Sequence, residues 1–160
     1  MPDPEVEQWR LKGELHLWRY VDPGRGNRGW HLNADKTTCE SLTDLIAKML
    51  ASPWKTSKQI EVTVPKSMRN NPDRKWISAS TLLLIFSREE NNPDLWELKA
   101  EANLVQLTLG REKLIELQQS LVGLPDWKDD FAIGPTVNMR RVEDRKLWDA
   151  MCLWFWTKIA

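Results

Sequence analysis

Few residues of this chain could carry catalytic or metal chemistry: the two histidines, His16 and His31, and the acidic pair Asp129 and Asp130. Acid–base catalysis by histidine needs a carboxylate that orients the ring, and the sequence identifies none. A zinc site needs three or four ligands, and neither cysteine is spaced to join the histidines. We therefore predict no metal and no cofactor. As an alternative, His31, Asp129 and Asp130 could line a pocket between sheet and loops, in a small-ligand binder or an enzyme.

The segment Gly24-x-Gly26-x-x-Gly29 has the glycine spacing of a nucleotide-binding loop. In that motif the glycines open a helix whose N-terminus binds the pyrophosphate. Here residues 30–32 continue an extended pattern instead. The segment is therefore predicted to be a hairpin loop that carries two basic side chains, Arg25 and Arg28.

Residues 53–76 are locally basic, with Trp54 and Trp76 at the two ends. Cations that contact phosphates, together with rings that stack on bases, are typical of single-stranded nucleic-acid binding. The whole chain, however, has 23 basic and 23 acidic residues, whereas domains that bind polyanions usually carry a basic excess. Weak nucleic-acid binding by this segment is therefore a disfavoured alternative.

The periodicity of apolar residues predicts the elements that position these groups. Period-two alternation predicts strands over 9–21 and 60–64, and two more over 96–100 and 105–109, although Asp94 could instead cap a short helix. The apolar run 82–86 predicts a central strand covered on both faces, or one that crosses the sheet edge to edge. The last stretch, residues 147–159, fits either a strand or an apolar helix, and its aromatic residues favour the strand because they fill pleated surfaces well.

Two segments have helical spacing instead. One follows a capping-box pattern at Thr37 to Glu40, and the other follows Gly110. The order of elements predicts an α+β fold, with an antiparallel sheet of about six or seven strands and two helices packed on one face. A chain of 160 residues fits a single domain, in which we expect residues 1–7 to be a flexible tail.

Ten tryptophans, against one tyrosine and three phenylalanines, are the main peculiarity of the composition. In the first predicted strand Trp9 shares a face with leucines, which indicates core, whereas Trp18 shares the other face with His16 and Tyr20. Tryptophan, tyrosine and arginine are enriched at the centres of interfaces. We therefore predict a partner-binding surface made of these residues: His16, Trp18, Tyr20, Arg25 and Arg28. The partner is predicted to be another protein, or a second copy of the chain in a homodimer.

The N-terminus lacks the pattern of a signal peptide, and no apolar run reaches the length of a membrane span. Cys39 and Cys152 lie in apolar surroundings, so both are predicted to be reduced core residues. These features predict a cytoplasmic protein that does not bind membranes.

The step Leu107-Thr-Leu-Gly into a leucine-striped helix, the segment 129–134 and the terminal Leu153-Trp-Phe-Trp resemble small uncharacterised bacterial proteins, some of them similar to immunity proteins of toxin systems. The resemblance covers about the last third of the chain and carries over no functional residue. It implies a bacterial interaction protein. Together with the aromatic hairpin face, it leads us to expect a non-enzymatic protein that binds another macromolecule.

Overall fold

The computed structural model describes residues 2–21, 29–64, 76–124, 131–136, 148 and 151–155. These contain three helices: α1 (Pro4–Gln8), α2 (Lys36–Ala51) and α3 (Arg111–Gly123). They also contain nine strands: β1 (Leu15–Tyr20), β2 (Trp30–Ala34), β3 (Thr56–Glu61), β4 (Trp76–Ser78), β5 (Thr81–Phe86), β6 (Trp96–Glu101), β7 (Leu104–Leu109), β8 (Phe131–Ile133) and β9 (Leu153–Phe155).

The described strands form two sheets, with the orders β4-β1-β2-β9-β8 and β3-β5-β7-β6. The α+β class is confirmed, but the single antiparallel sheet is wrong, because β2 pairs with β9 and β5 with β7 in parallel. Parallel strands need a long connection, so their pairing leaves no local signal in the sequence. The sheets meet where the Thr63 amide donates to the Leu15 carbonyl at 2.9 Å and the Ala79 amide donates to the Leu17 carbonyl at 3.0 Å.

One hydrophobic core joins the inner faces of both sheets to α2 and α3. The two helices pack against each other, and each contributes one stripe of buried leucines, as the period of 3.6 residues predicts. Strand β5 differs from the prediction: Leu82, Leu84 and Phe86 are buried, whereas Leu83 and Ile85 are only half-buried. The core therefore covers one face of this strand. No helix among the described residues is both long and apolar enough to cross a membrane.

Helix α1 occupies part of the segment predicted to be a flexible tail over residues 1–7. The Asp3 carboxylate caps it by accepting from the Glu5 amide at 2.9 Å, and Val6 is 2% exposed. The indole of Trp9 then donates to the Ser41 carbonyl at 3.0 Å. This buried bond fixes the start of the chain to α2.

Helix α2 begins one residue before the predicted capping box. Its N-cap is Asp35, whose carboxylate accepts from the Thr38 amide at 2.8 Å and from the Thr38 hydroxyl at 2.7 Å. These bonds lower the pKa of the Asp35 carboxyl. The sequence favoured Thr37 because a glutamate follows three residues later, but aspartate at position 35 satisfies the first-turn amides equally well.

We expect Asp35→Ala to lower the free energy of unfolding by about 1 kcal/mol at neutral pH, because the cap is lost. A lowered folded-state pKa stabilises the native state above the unfolded value of about 3.9, and this contribution is lost as the pH falls through the folded value. The difference in the free energy of unfolding between wild type and Asp35→Ala should therefore become smaller in acid. Urea unfolding at several pH values measures it. Asp35→Asn, which caps without a charge, is the control. A difference between wild type and Asp35→Ala that does not depend on pH would contradict the role of the carboxylate.

Candidate functional site

An aromatic row crosses the outer face of the five-stranded sheet. The register places Ser78, Trp18, His31, Trp154 and Ala132 side by side, one from each strand. Directly paired residues share a face of the sheet. The structure therefore brings together Trp18 of the predicted partner-binding set and His31 of the predicted pocket.

Rings in this row and beside it form two groups of contacts. Trp18 stacks on His31 with 5.7 Å between centroids, and Tyr20 meets the same imidazole edge-on at 5.3 Å. At the far side Trp148 meets Trp154 edge-on at 6.4 Å. Such pairs stabilise beyond the area that they bury. The imidazole of His31 is thus held between rings from β1.

The centre of the aromatic row is closed to solvent. Trp18 is 1% exposed and His31 is 0% exposed, so Trp18 is buried and not exposed as predicted; its contact with a partner stays a prediction. Alternation along β1 correctly separates the two faces of the strand, but it does not indicate that both are covered. The indole N–H groups of Trp18 and Trp154 are also buried without a hydrogen-bond partner among the described residues.

The other predicted site residues are not brought together into one surface. His16 is half-buried at the junction of the two sheets, where its Nδ1 lies 3.0 Å from the Thr63 carbonyl oxygen, which can only accept. Contact of Tyr20 with a partner stays a prediction. Four predicted residues lie outside the described part of the chain: Arg25, Arg28, Asp129 and Asp130.

Of the basic segment 53–76, residues 65–75 lie outside the described ranges. Trp54 is 41% exposed, and its carbonyl accepts from Nε of Arg88 at 2.8 Å. Trp76 is half-buried in β4. The two tryptophans therefore lie in different parts of the fold, Trp54 at the end of α2 and Trp76 in the five-stranded sheet.

Both cysteines are buried and not bonded to each other, as predicted. Burial, followed by the nearby charge of Asp35, raises the pKa of the Cys39 thiol to about 12. A thiol that stays protonated is a poor nucleophile. Among the described residues no three histidine, cysteine or acidic side chains are grouped closely enough to hold a metal ion.

The four-stranded sheet turns one face to the core and the other to solvent. We call the second surface the open face. Register and alternating exposure place these residues on it: Ser57, Gln59, Glu61, Thr81, Leu83, Ile85, Leu104, Gln106, Thr108, Glu97, Lys99 and Glu101. Every one of them is exposed or half-buried.

The open face has an apolar middle and a charged rim. Leu83 and Ile85 lie on the inner strand β5, and Gln106 and Thr108 pair with them from β7. The acidic residues lie on the outer strands instead. Sequence reasoning missed this surface because it placed β5 in a doubly covered position, although the polar residues at 106 and 108 already indicated one solvated face.

The rim is acidic at one end of the sheet. Glu61 and Glu101 end the same row, on β3 and β6, with Thr81 and Leu104 between them. On β6 Glu97 forms an ion pair with Lys99. No ion pair involves Glu61 or Glu101 within the described ranges.

Comparison of the chain with protein-family models, curated proteins and solved structures finds no match.

Proposed function

We propose that this protein is a non-enzymatic binding protein, and that it recognises another protein with a basic surface through the open face. The observation that supports the proposal is the uncovered face of the four-stranded sheet, with half-buried Leu83 and Ile85 in its middle. An apolar centre within a polar rim is the usual anatomy of a protein interface. A sheet face is also broad and flat, whereas small-ligand sites are concave.

Charge favours a different protein over a second copy. The open face carries three acidic residues, Glu61, Glu97 and Glu101, against the single base Lys99. Two such faces would repel each other, whereas a basic surface would be attracted and guided into register. We base the proposal on this face rather than on the aromatic row because Trp18 and His31 are buried.

Site-specific cross-linking tests the proposal. A photo-reactive amino acid in place of Gln106, on the open face, is expected to capture a protein from cell extract. The same group in place of Gln119, which is exposed on α3, is the matched control. It should not capture the protein that is cross-linked at position 106. The yield at position 106 should fall about tenfold when Glu61→Lys and Glu101→Lys are combined, since rim charges steer association.

Two results would contradict the proposal. One is the absence of any adduct specific to position 106. The other is an adduct whose yield does not change in the double charge reversal. Circular dichroism of each variant confirms that the fold is retained, which we expect because both glutamates are exposed and outside the core.

A further inference from the structure

A groove of about 570 Å³ lies between the edge of β3 and the extended segment 9–14. Apolar atoms of Trp9, Leu11 and Ile60 line it, and charged side chains lie along both walls. Every lining residue belongs to the described ranges. The groove lies at the edge of the four-stranded sheet and borders the open face, with which it shares Gln59 and Glu61.

The edge of β3 presents backbone groups to this groove. The Val62 amide donates to the Ser80 carbonyl at 3.0 Å, on the β5 side, and the Thr63 amide donates to the Leu15 carbonyl at 2.9 Å, on the other side. Backbone groups alternate along a strand. The amides of Gln59 and Glu61 therefore point away from β5, and neither has a backbone partner outside the sheet ladder in the described part of the chain.

The two walls run in the same direction and carry opposite charges at their ends. The bridge between His16 and Thr63 is parallel, so counting back from it places Glu14 beside Glu61. At the other end Arg10 lies near Lys58, whose pKa is lowered by burial and by the charge of Arg10. The groove is thus acidic near the bridge and has a net positive charge toward α1, where Arg10 and Lys58 outnumber Glu7.

Entry of a whole second sheet is disfavoured here. The ammonium of Lys58 donates to the Glu7 carbonyl at 2.7 Å, beside α1, and an inward-pointing lysine is a common protection of sheet edges against pairing with other sheets. A single extended segment needs only the space between the walls. Its backbone would pair with Gln59 and Glu61, as in other cases of strand addition.

We propose that this groove binds one extended peptide segment, which adds to β3 as an antiparallel strand with a basic residue near Glu14 and Glu61 and an acidic residue near Arg10 and Lys58. The site goes beyond the proposed function: it shares Glu61 with the open face, but its backbone donors and Glu14 play no part in that function. Antiparallel addition is favoured because its ladder is slightly more stable per residue. Backbone pairing supplies affinity, and the charges at the two ends fix the direction.

Nuclear magnetic resonance titration tests this site with the blocked pentapeptide Lys-Val-Thr-Val-Asp at millimolar concentrations. In the intact chain the amides of Gln59 and Glu61 are expected to shift most, because they gain new acceptors. Gln59→Pro removes one donor that the β3–β5 ladder does not use, and proline is tolerated at such edge positions. This variant should weaken binding about tenfold, which is the usual effect of one lost hydrogen bond.

A second variant keeps the test decisive if proline at position 59 disturbs the strand. Glu14→Lys reverses a charge at an exposed position and should also weaken binding of the peptide, with an effect that fades in high salt. Glu101→Lys, on the far edge of the open face, should leave binding unchanged. The proposal is overturned if the amides of Gln59 and Glu61 do not shift, or if Glu14→Lys and Glu101→Lys bind the peptide equally well.

Discussion

Replacing Trp18 by alanine is expected to lower the free energy of unfolding by about 3–5 kcal/mol, the usual cost of truncating a buried aromatic ring. Trp18 is 1% exposed and stacks on the imidazole of His31. Its removal leaves a cavity and uncovers a ring that is itself fully buried. Urea unfolding followed by circular dichroism measures the loss. A large loss would also mean that binding assays on this variant report folding rather than recognition.

Two tryptophan variants serve as controls. Trp54→Ala removes a ring that is 41% exposed, and surface changes of this kind usually stay within about 0.5 kcal/mol. Trp18→Phe keeps most of the packing and removes a buried N–H without a partner among the described residues, so it should cost much less than alanine. The burial of Trp18 would be contradicted if its alanine variant were as stable as Trp54→Ala.

Replacing Gly110 by alanine is expected to destabilise the protein by about 3 kcal/mol, at the upper end of the usual range for overpacking. A Cβ atom at this position would clash with the Pro93 carbonyl oxygen and with the Asn92 carbonyl oxygen. Both are backbone atoms and cannot rotate away. Glycine is required here because the turn before β6 lies directly against the start of α3, where the Glu112 amide donates to the Pro93 carbonyl at 3.0 Å.

Gly123→Ala provides the matched control, because Gly123 ends α3 and is not hydrogen-bonded to the turn before β6. Alanine is the better helix former by about 1 kcal/mol in a helix interior, so this variant should be neutral or slightly stabilising. Thermal unfolding of both variants compares the two sites directly. Equal melting temperatures for Gly110→Ala and Gly123→Ala would show that the close approach at Gly110 is not maintained in solution.

The local elements were predictable because their signals are local. The leucine stripes and the capping signals predict α2 and α3, and alternation predicts β7 to within one residue. The strand predicted over 9–21 contains β1 but begins six residues too early, and the strand predicted over 60–64 overlaps β3 only at residues 60 and 61. The same patterns correctly place Trp9 and both cysteines in the interior. In each case the interaction joins residues close in sequence, or depends only on which side of an element a residue lies.

The candidate site was less predictable, since it depends on which faces are covered. Alternation places Trp18 opposite Leu17 but does not distinguish a covered second face from an open one, so Trp18 was predicted to be exposed. For Leu83 the error was the reverse: a continuous apolar run indicated two covered faces, whereas the core covers one. Coverage is decided by elements distant in sequence, to which no local pattern is sensitive.

The sequence alone therefore determined the α+β class, helices α2 and α3, and the approximate positions of several strands. Only the tertiary structure decided that the strands form two sheets, that Trp18 packs against His31, and that β3 has an edge facing a groove. The physical reason is that hydrogen bonding and apolar periodicity act within an element. Parallel pairing and the burial of a sheet face depend instead on contacts between segments far apart in the chain.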